Sequence, residues 1–210
     1  SLELTGTIEV GQDESDGARL EIQSGATFNG AIDLVVNQLA RVLIDDNTLT
    51  LNSLSGAGTI QEADSFSEVD LIINGGGDSH FTGLLLLGDS ESSVTVTGSG
   101  TTLYLGAGDG DGTSLTPNSI GQTRVTDGGT VLITPMKLGD TVFDTIATLS
   151  TTLFIDGGTF GGEGIVELLF NAPDPNFEMI SGWIQGGNNQ GTGTLRSEEH
   201  TSELQSHSDL

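Results

Sequence analysis

Short runs of apolar and Thr residues, separated by Gly, Asn and Asp and arriving about three to a step, constrain this chain more than any other feature. A unit made of an apolar residue, any residue and glycine leads into such runs at Leu4-Thr5-Gly6, Phe28-Asn29-Gly30, Leu54-Ser55-Gly56 and Phe81-Thr82-Gly83. Its starts lie 24, 26 and 27 positions apart, and it returns 79 positions after Phe81 as Phe160-Gly161-Gly162, close to three more steps. Self-similarity at that interval, carried by short strands, marks a solenoid whose coils stack on one another. Glycine is abundant, at 32 residues, so the unit also arises off register, as at Val96-Thr97-Gly98 and Ile155-Asp156-Gly157. Its weight therefore comes from the strand triplets it accompanies, and it is expected to mark the turn where each coil restarts.

One triplet reads Ala31 to Val36, Ala40 to Ile44 and Thr48 to Leu51, divided by Asn37-Gln38 and Asp45-Asp46-Asn47. Another reads Leu84 to Leu87, Ser93 to Thr97 and Thr101 to Leu105, divided by Gly88-Asp89 and Gly98-Ser99-Gly100. Apolar residues alternate with Thr or Tyr in Thr48 to Leu51, Val94 to Val96 and Leu103 to Leu105, as strands with one buried and one wet face require. Coils of three strands would place each strand parallel to its equivalent about 4.8 Å above. At about 26 residues a coil, the body gives roughly seven coils. Gly at the turns supplies positive φ, and Asp or Asn tolerates it. An amphipathic helix competes over Ala31 to Ile44, but Ile32, Val35, Val36, Val42 and Ile44 are β-branched and favour strand. An irregular β-sandwich or jelly roll is the alternative to the coil-stacking fold.

The last fifteen residues, Arg196 to Leu210, read like the conceptual translation of a sequencing-library adapter and are set apart as a polar, disordered tail of 196–210. Removing their one Arg and four acids takes the formal charge only from −25 to −22, so the acidity belongs to the body, 1–195. Such a surface repels nucleic acid and anionic headgroups. There is no cysteine, hence no disulfide framework and no thiolate metal site. No charged leader or apolar stretch of membrane-spanning length is present, and the chain reads as an internal piece of a longer protein.

Leu54-Ser55-Gly56-Ala57-Gly58-Thr59-Ile60, Gly98-Ser99-Gly100-Thr101-Thr102-Leu103, Thr126-Asp127-Gly128-Gly129-Thr130-Val131-Leu132 and Gly191-Thr192-Gly193-Thr194-Leu195 carry a Gly-Thr signature. In this the body resembles the passenger regions of bacterial autotransporters and related surface adhesins. The resemblance implies an all-β, right-handed parallel β-helix, secreted or displayed at the bacterial cell surface, with a structural and adhesive role. It implies a protein or glycan ligand on a host or another surface, no nucleic acid, and membrane attachment only through a C-terminal barrel or anchor lying outside this chain.

Gly106-Ala107-Gly108-Asp109-Gly110-Asp111-Gly112 is similar to one turn of the glycine-aspartate repeats that bind calcium. Glycines let carbonyls converge while Asp109 and Asp111 would supply hard oxygen ligands, so a calcium-stabilised solenoid stays open beside a plain solvated loop. Gly106 to Gly121 is the expected projecting loop. Asp13-Glu14-Ser15-Asp16-Gly17 and Asp45-Asp46-Asn47 lack the alternation of a calcium loop and read as solvated turns. A polysaccharide lyase or hydrolase is the third reading. Asp45 with Asp70 one coil away would be its carboxylate pair, though nothing selects them from the other acids. Arg19, Arg41, Arg124 and Lys137 are the only cationic side chains of the body, and Trp183 and Tyr104 its only Trp and Tyr, which gives sugars little to stack on. His80 has no partner constellation and is expected at the surface. Neither a catalytic residue nor a bound cofactor other than calcium is expected.

Overall fold

The computed structural model describes residues 6–12, 17–26, 32–106, 118–133, 136–138, 141–143, 146–162, 165–168, 176–186 and 194–197, with side-chain surroundings for those up to 133 and for 153–162. In chain order the strands are β1 (Gly6–Val10), β2 (Arg19–Ile22), β3 (Ile32–Val36), β4 (Arg41–Ile44), β5 (Asn47–Leu51), β6 (Ser53–Gly56) and β7 (Thr59–Glu62). They continue as β8 (Val69–Ile73), β9 (Asp78–Phe81), β10 (Leu84–Leu87), β11 (Ser93–Thr97), β12 (Thr102–Leu105), β13 (Asn118–Thr126) and β14 (Thr130–Ile133). The last are β15 (Met136–Leu138), β16 (Thr141–Phe143), β17 (Ile146–Gly162), β18 (Ile165–Leu168), β19 (Asn176–Gly186) and β20 (Thr194–Ser197).

Pairing sorts these strands into three parallel ladders. The first stacks β1, β3, β6, β9, β12, β14 and then the ends of β17 and β19. The second stacks β2, β4, β7, β10, the start of β13, the start of β17, β18 and β20. The third stacks β5, β8, β11 and the later parts of β13, β17 and β19. The chain visits the ladders in rotation, which makes it an all-β parallel solenoid rather than a sandwich or jelly roll. The solenoid has about five turns, slightly fewer than the seven expected from length; its described core runs from Val10 to Phe160, and strand pairing continues beyond it through β18, β19 and β20. Among the described residues the only antiparallel pair is the hairpin β15–β16, inserted between β14 and β17.

Most strands turn alternate residues inward, while β4 and β10 of the second ladder also bury consecutive residues. In the third, Leu51, Ile73, Val96, Val125 and Ile155 follow one another in register and are all buried. Full burial of each such side chain contributes about 1.5–3 kcal/mol, so the column is a continuous source of stability. The span Ala31 to Ile44 resolves into β3 and β4, as its β-branched residues favour. A turn separates them at Leu39, whose φ of 67 takes it off any helical stripe. At other turns, Asp46 (φ 34) and Asp127 (φ 51) adopt the left-handed region that their short polar side chains tolerate.

The apolar-x-Gly unit does not occupy one place in the coil, contrary to expectation. Gly6 opens the first ladder opposite Ile32, whereas Gly56 and Gly162 close it. Phe81 pairs with Gly56, so the copies beginning at Leu54 and Phe81 are two positions out of register. The copy at Phe28 to Gly30 lies outside the described residues. What the later copies share is a tight approach between successive turns: a Cβ on Gly56 would sit 2.1 Å from the Val36 carbonyl oxygen, and one on Gly83 would sit 2.0 Å from that of Gly58. Glycine there answers to backbone contact across the stack, and similar spacing follows because the coil length is similar.

Candidate functional site

The corners between ladders differ in length: second-to-third links run 45–46, 63–68, 88–92 and 169–175, and the two longest connections of all lie on the first-to-second edge. From the third ladder back to the first the links are short: residues 52, 74–77, 98–101 and 127–129. From the first ladder to the second they include 11–18, 106–117 and 134–145, the last holding the β15–β16 hairpin. Irregular connections carry function on a rigid scaffold more often than the scaffold itself does. The expected loop Gly106 to Gly121 ends earlier than foreseen, because β13 begins at Asn118 and Gly121 packs against the carbonyls of Asp89 and Ser92. Asn118 is fully buried and clasps the base of this loop. Its Oδ1 accepts from the Leu85 N–H at 2.7 Å, and its Nδ2 donates to the Gly106 carbonyl at 2.6 Å.

On the same edge the short links 37–40, 57–58 and 82–83 enclose a notch of about 400 Å³, lined by Gln12, Asn37, Gln38, Gly56, Ala57, His80 and Thr82. Its origin is a turn of small residues, Ser55 to Gly58, between bulkier neighbours above and below. The floor is stiff: the Val36 carbonyl accepts from both Ala57 and Gly58 N–H at 2.9 Å, and Thr82 N–H donates to the Gly56 carbonyl at 2.9 Å. Asn37 gives its side-chain N–H groups to Glu9 Oε1 and the Gly11 carbonyl, leaving Oδ1 as its acceptor. His80 stacks on Tyr104 of the next turn, with centroids 4.4 Å apart and planes 5° from parallel. One imidazole face is thereby covered and the other turns toward the small-residue turn.

The outward side of the third ladder is a flat polar surface. Asp70 accepts from Ser93 Oγ at 2.6 Å and from Thr48 Oγ1 at 3.3 Å. Arg124 donates to Gln122 Oε1 at 3.1 Å and lies 5.6 Å over the Phe154 ring. A shallow depression of about 370 Å³ runs between Asp70, Ile72, Glu91, Ser93, Thr95, Gln122 and Arg124. Asp45 does not share this surface. It lies at the next corner and accepts from Ser67 Oγ at 3.3 Å, while Asp70 has Thr48 beside it in register. The carboxylate pair suggested by sequence is therefore not a pair of coil neighbours.

Asp109 and Asp111 lie outside the described residues, as do 13–16 of the first acidic cluster and the side chain of Trp183. Among the described residues, no group of three or more His, Asp or Glu gathers as metal ligands would. His80 is at the surface as expected, but its stack with Tyr104 was missed; the 24-residue spacing of two outward positions, close to one coil, was the available signal.

Three further features escaped the sequence reading. Glu62 stands in register with Ile44 on the second ladder, where side chains turn inward. Burial pushes its carboxyl above the ordinary value of 4.5, against the Asp89 N–H and the Ser92 side chain, which pull it down, with the nearby Asp89 charge pushing it up again. Thr123 occupies a core position between Val94 and Leu153, and its Oγ1 is buried without a hydrogen-bond partner. Phe66 is 86% exposed on a corner turn braced by Asp64, whose Oδ1 accepts from Phe66 N–H and Ser67 Oγ. A phenylalanine within the polar run Asp64 to Glu68 was the signal for it.

Comparison with protein-family models, with curated proteins and with solved structures finds no match to this chain.

Proposed function

We propose that the chain is a stiff stalk of a secreted or surface-displayed bacterial protein, adhesive through loops on one edge and without catalysis of its own. The observation that carries the reading is the division of labour in the solenoid: an unbroken apolar core through stacked turns, with the two longest connections, 106–117 and 134–145, both on the edge between the first and second ladders. A scaffold in which each turn contacts its neighbours along the axis resists bending and holds an edge in a fixed line. The outward side chains support it as well, being mostly Thr, Ser, Asp and Gln with one large exposed apolar residue, Phe66, among those described. The acidic surface favours solubility and disfavours nucleic acid and anionic membranes.

Beads carrying the whole chain test this reading. Under flow they should be retained on surfaces coated with glycans or matrix proteins beyond an albumin control, and release of reducing ends or unsaturated products from acidic polysaccharides should stay at background. Absence of retention on every coating removes the adhesive role. Polysaccharide cleavage by the chain would replace the stalk with an enzyme.

A further inference from the structure

The geometry points to the notch beside His80 as a binding site for a single uncharged saccharide ring. This deepens the adhesive reading by naming a ligand class, and it rests on that reading only for the biological use of the site. Three observations converge.

The first is shape. Successive turns are about 4.8 Å apart, so the walls supplied by Asn37 and Gln38 below and by His80 and Thr82 above stand about two steps, or roughly 9.6 Å, from each other. Ser55, Gly56 and Ala57 leave the intervening turn almost without side chains on this edge. After the thickness of the walls is taken off, the gap accommodates one ring lying across the stack. The gap is also built in. Gly56 has φ 108 and a Cβ there would meet the Val36 carbonyl oxygen at 2.1 Å, so no larger residue can close it at that point. Leu39, in the turn that forms the lower wall, holds a left-handed φ of 67, a conformation costly for a branched side chain and commonest where a binding surface is being shaped.

The second is chemistry. In a chain with 30 acidic residues, the described lining contains none: it offers the amides of Gln12, Asn37 and Gln38, the hydroxyl of Thr82 and the ring of His80. Amides and hydroxyls both donate and accept, which matches the alternating hydroxyls of a sugar and suits neither a cation nor an anion. Glu9 accepts from Asn37 Nδ2 at 2.8 Å and so fixes the orientation of the amide.

The third is the aromatic face. Tyr104 stacks on one side of His80 and holds the two ring planes parallel, while in register on the other side stands only the small Ser55, so the C–H face of a sugar would reach His80 from the notch across that small residue. The polar rim and the held ring together favour a saccharide over an apolar peptide side chain, which would need an apolar pocket that the notch does not have.

Isotope-labelled whole chain, titrated separately with glucose, galactose, mannose and N-acetylglucosamine to ~50 mM and followed by amide NMR shifts, tests the assignment. At least one sugar should produce saturable shifts at Gly56, Ala57 and His80. A site this small and open gives a Kd on the order of 1–10 mM. A57L fills the gap from a half-exposed position and should abolish the shifts, while H80A should weaken binding about threefold to tenfold. If A57L loses its dispersed spectrum, Q38A takes its place, with weaker binding expected. Wild-type chain with no saturable shift for any of the four sugars overturns the proposal, as do shifts that persist unchanged in A57L and H80A. Bead retention measured on A57L separates the two readings: retention without sugar shifts leaves the adhesive role and removes the notch as its site.

Discussion

Two inward columns of this solenoid, running side by side through the same turns, are built on opposite plans. On the third ladder, Leu51, Ile73, Val96, Val125 and Ile155 succeed one another with similar volumes and no glycine. On the first, Val10, Val36, Gly56, Phe81, Leu105, Ile133 and Gly162 alternate absence and bulk. Phe81 is wholly buried directly above Gly56, filling the volume that the glycine cannot. The regular column makes turns interchangeable; the irregular one makes particular turns depend on each other. That dependence has an outward consequence. The close approach that forces glycine at 56 also strips the corner of side chains and opens the notch. The regular ladder's exterior carries a shallow depression lined by charged and polar side chains from Asp70 to Arg124.

Substitution should expose this contrast most sharply at Phe81. Phe81→Ala removes the ring that compensates Gly56 and is expected to cost about 3–5 kcal/mol in urea unfolding, whereas Ile73→Val at the neighbouring step of the regular column should cost about 0.5–1.5 kcal/mol. Equal costs would erase the distinction between the columns. Gly56→Ala comes next, at about 3 kcal/mol, because its Cβ meets backbone at 2.1 Å and its φ of 108 suits no other residue. A neutral result would mean that the turns can separate there.

The regular ladder carries one flaw, and correcting it should act in the opposite direction. Thr123→Val removes a buried hydroxyl without a partner and is expected to stabilise by about 1 kcal/mol. A loss of stability would show that the hydroxyl is satisfied in solution. The smallest effect belongs to Glu62, half-buried at an inward position of the second ladder. Because burial raises its folded carboxyl above 4.5, the protonated form is the better fit, and its contribution to stability is full at low pH and lost as pH rises through the raised value. Glu62→Gln should therefore gain stability relative to the parent as pH rises above 4.5, and gain nothing below it. A parallel pH profile for the two proteins contradicts the assignment.

Much of the solenoid was legible before the coordinates. Strand triplets such as 31–36, 40–44 and 48–51 announce themselves because alternation follows directly from one buried face, and β3, β4 and β5 fall where those runs lie. The apolar-x-Gly unit misled as a coil marker. Glycine at 56 and 83 is fixed by contact with residues about one turn away, and a single chain segment carries no record of which residue that is. The notch was invisible for the same reason, being the sum of residues from 12 to 82 brought together only by register. Asn118 fell inside the expected loop Gly106 to Gly121, and its role as a buried clasp depends on Leu85 and Gly106, both distant in sequence.

All of this rests on register between turns, and the absence of native cysteine allows it to be tested cleanly. Ile72 and Thr95 face outward in register on successive turns of the third ladder. In a chain carrying I72C and T95C the two Cα atoms stand about 4.8 Å apart, within disulfide range, while in one carrying I72C and T97C they stand about 8 Å apart, beyond it. Under mild oxidation the first pair should close to an intramolecular disulfide and the second should remain free. Closure of the diagonal pair, or of both to the same extent, would contradict the parallel, in-register stack.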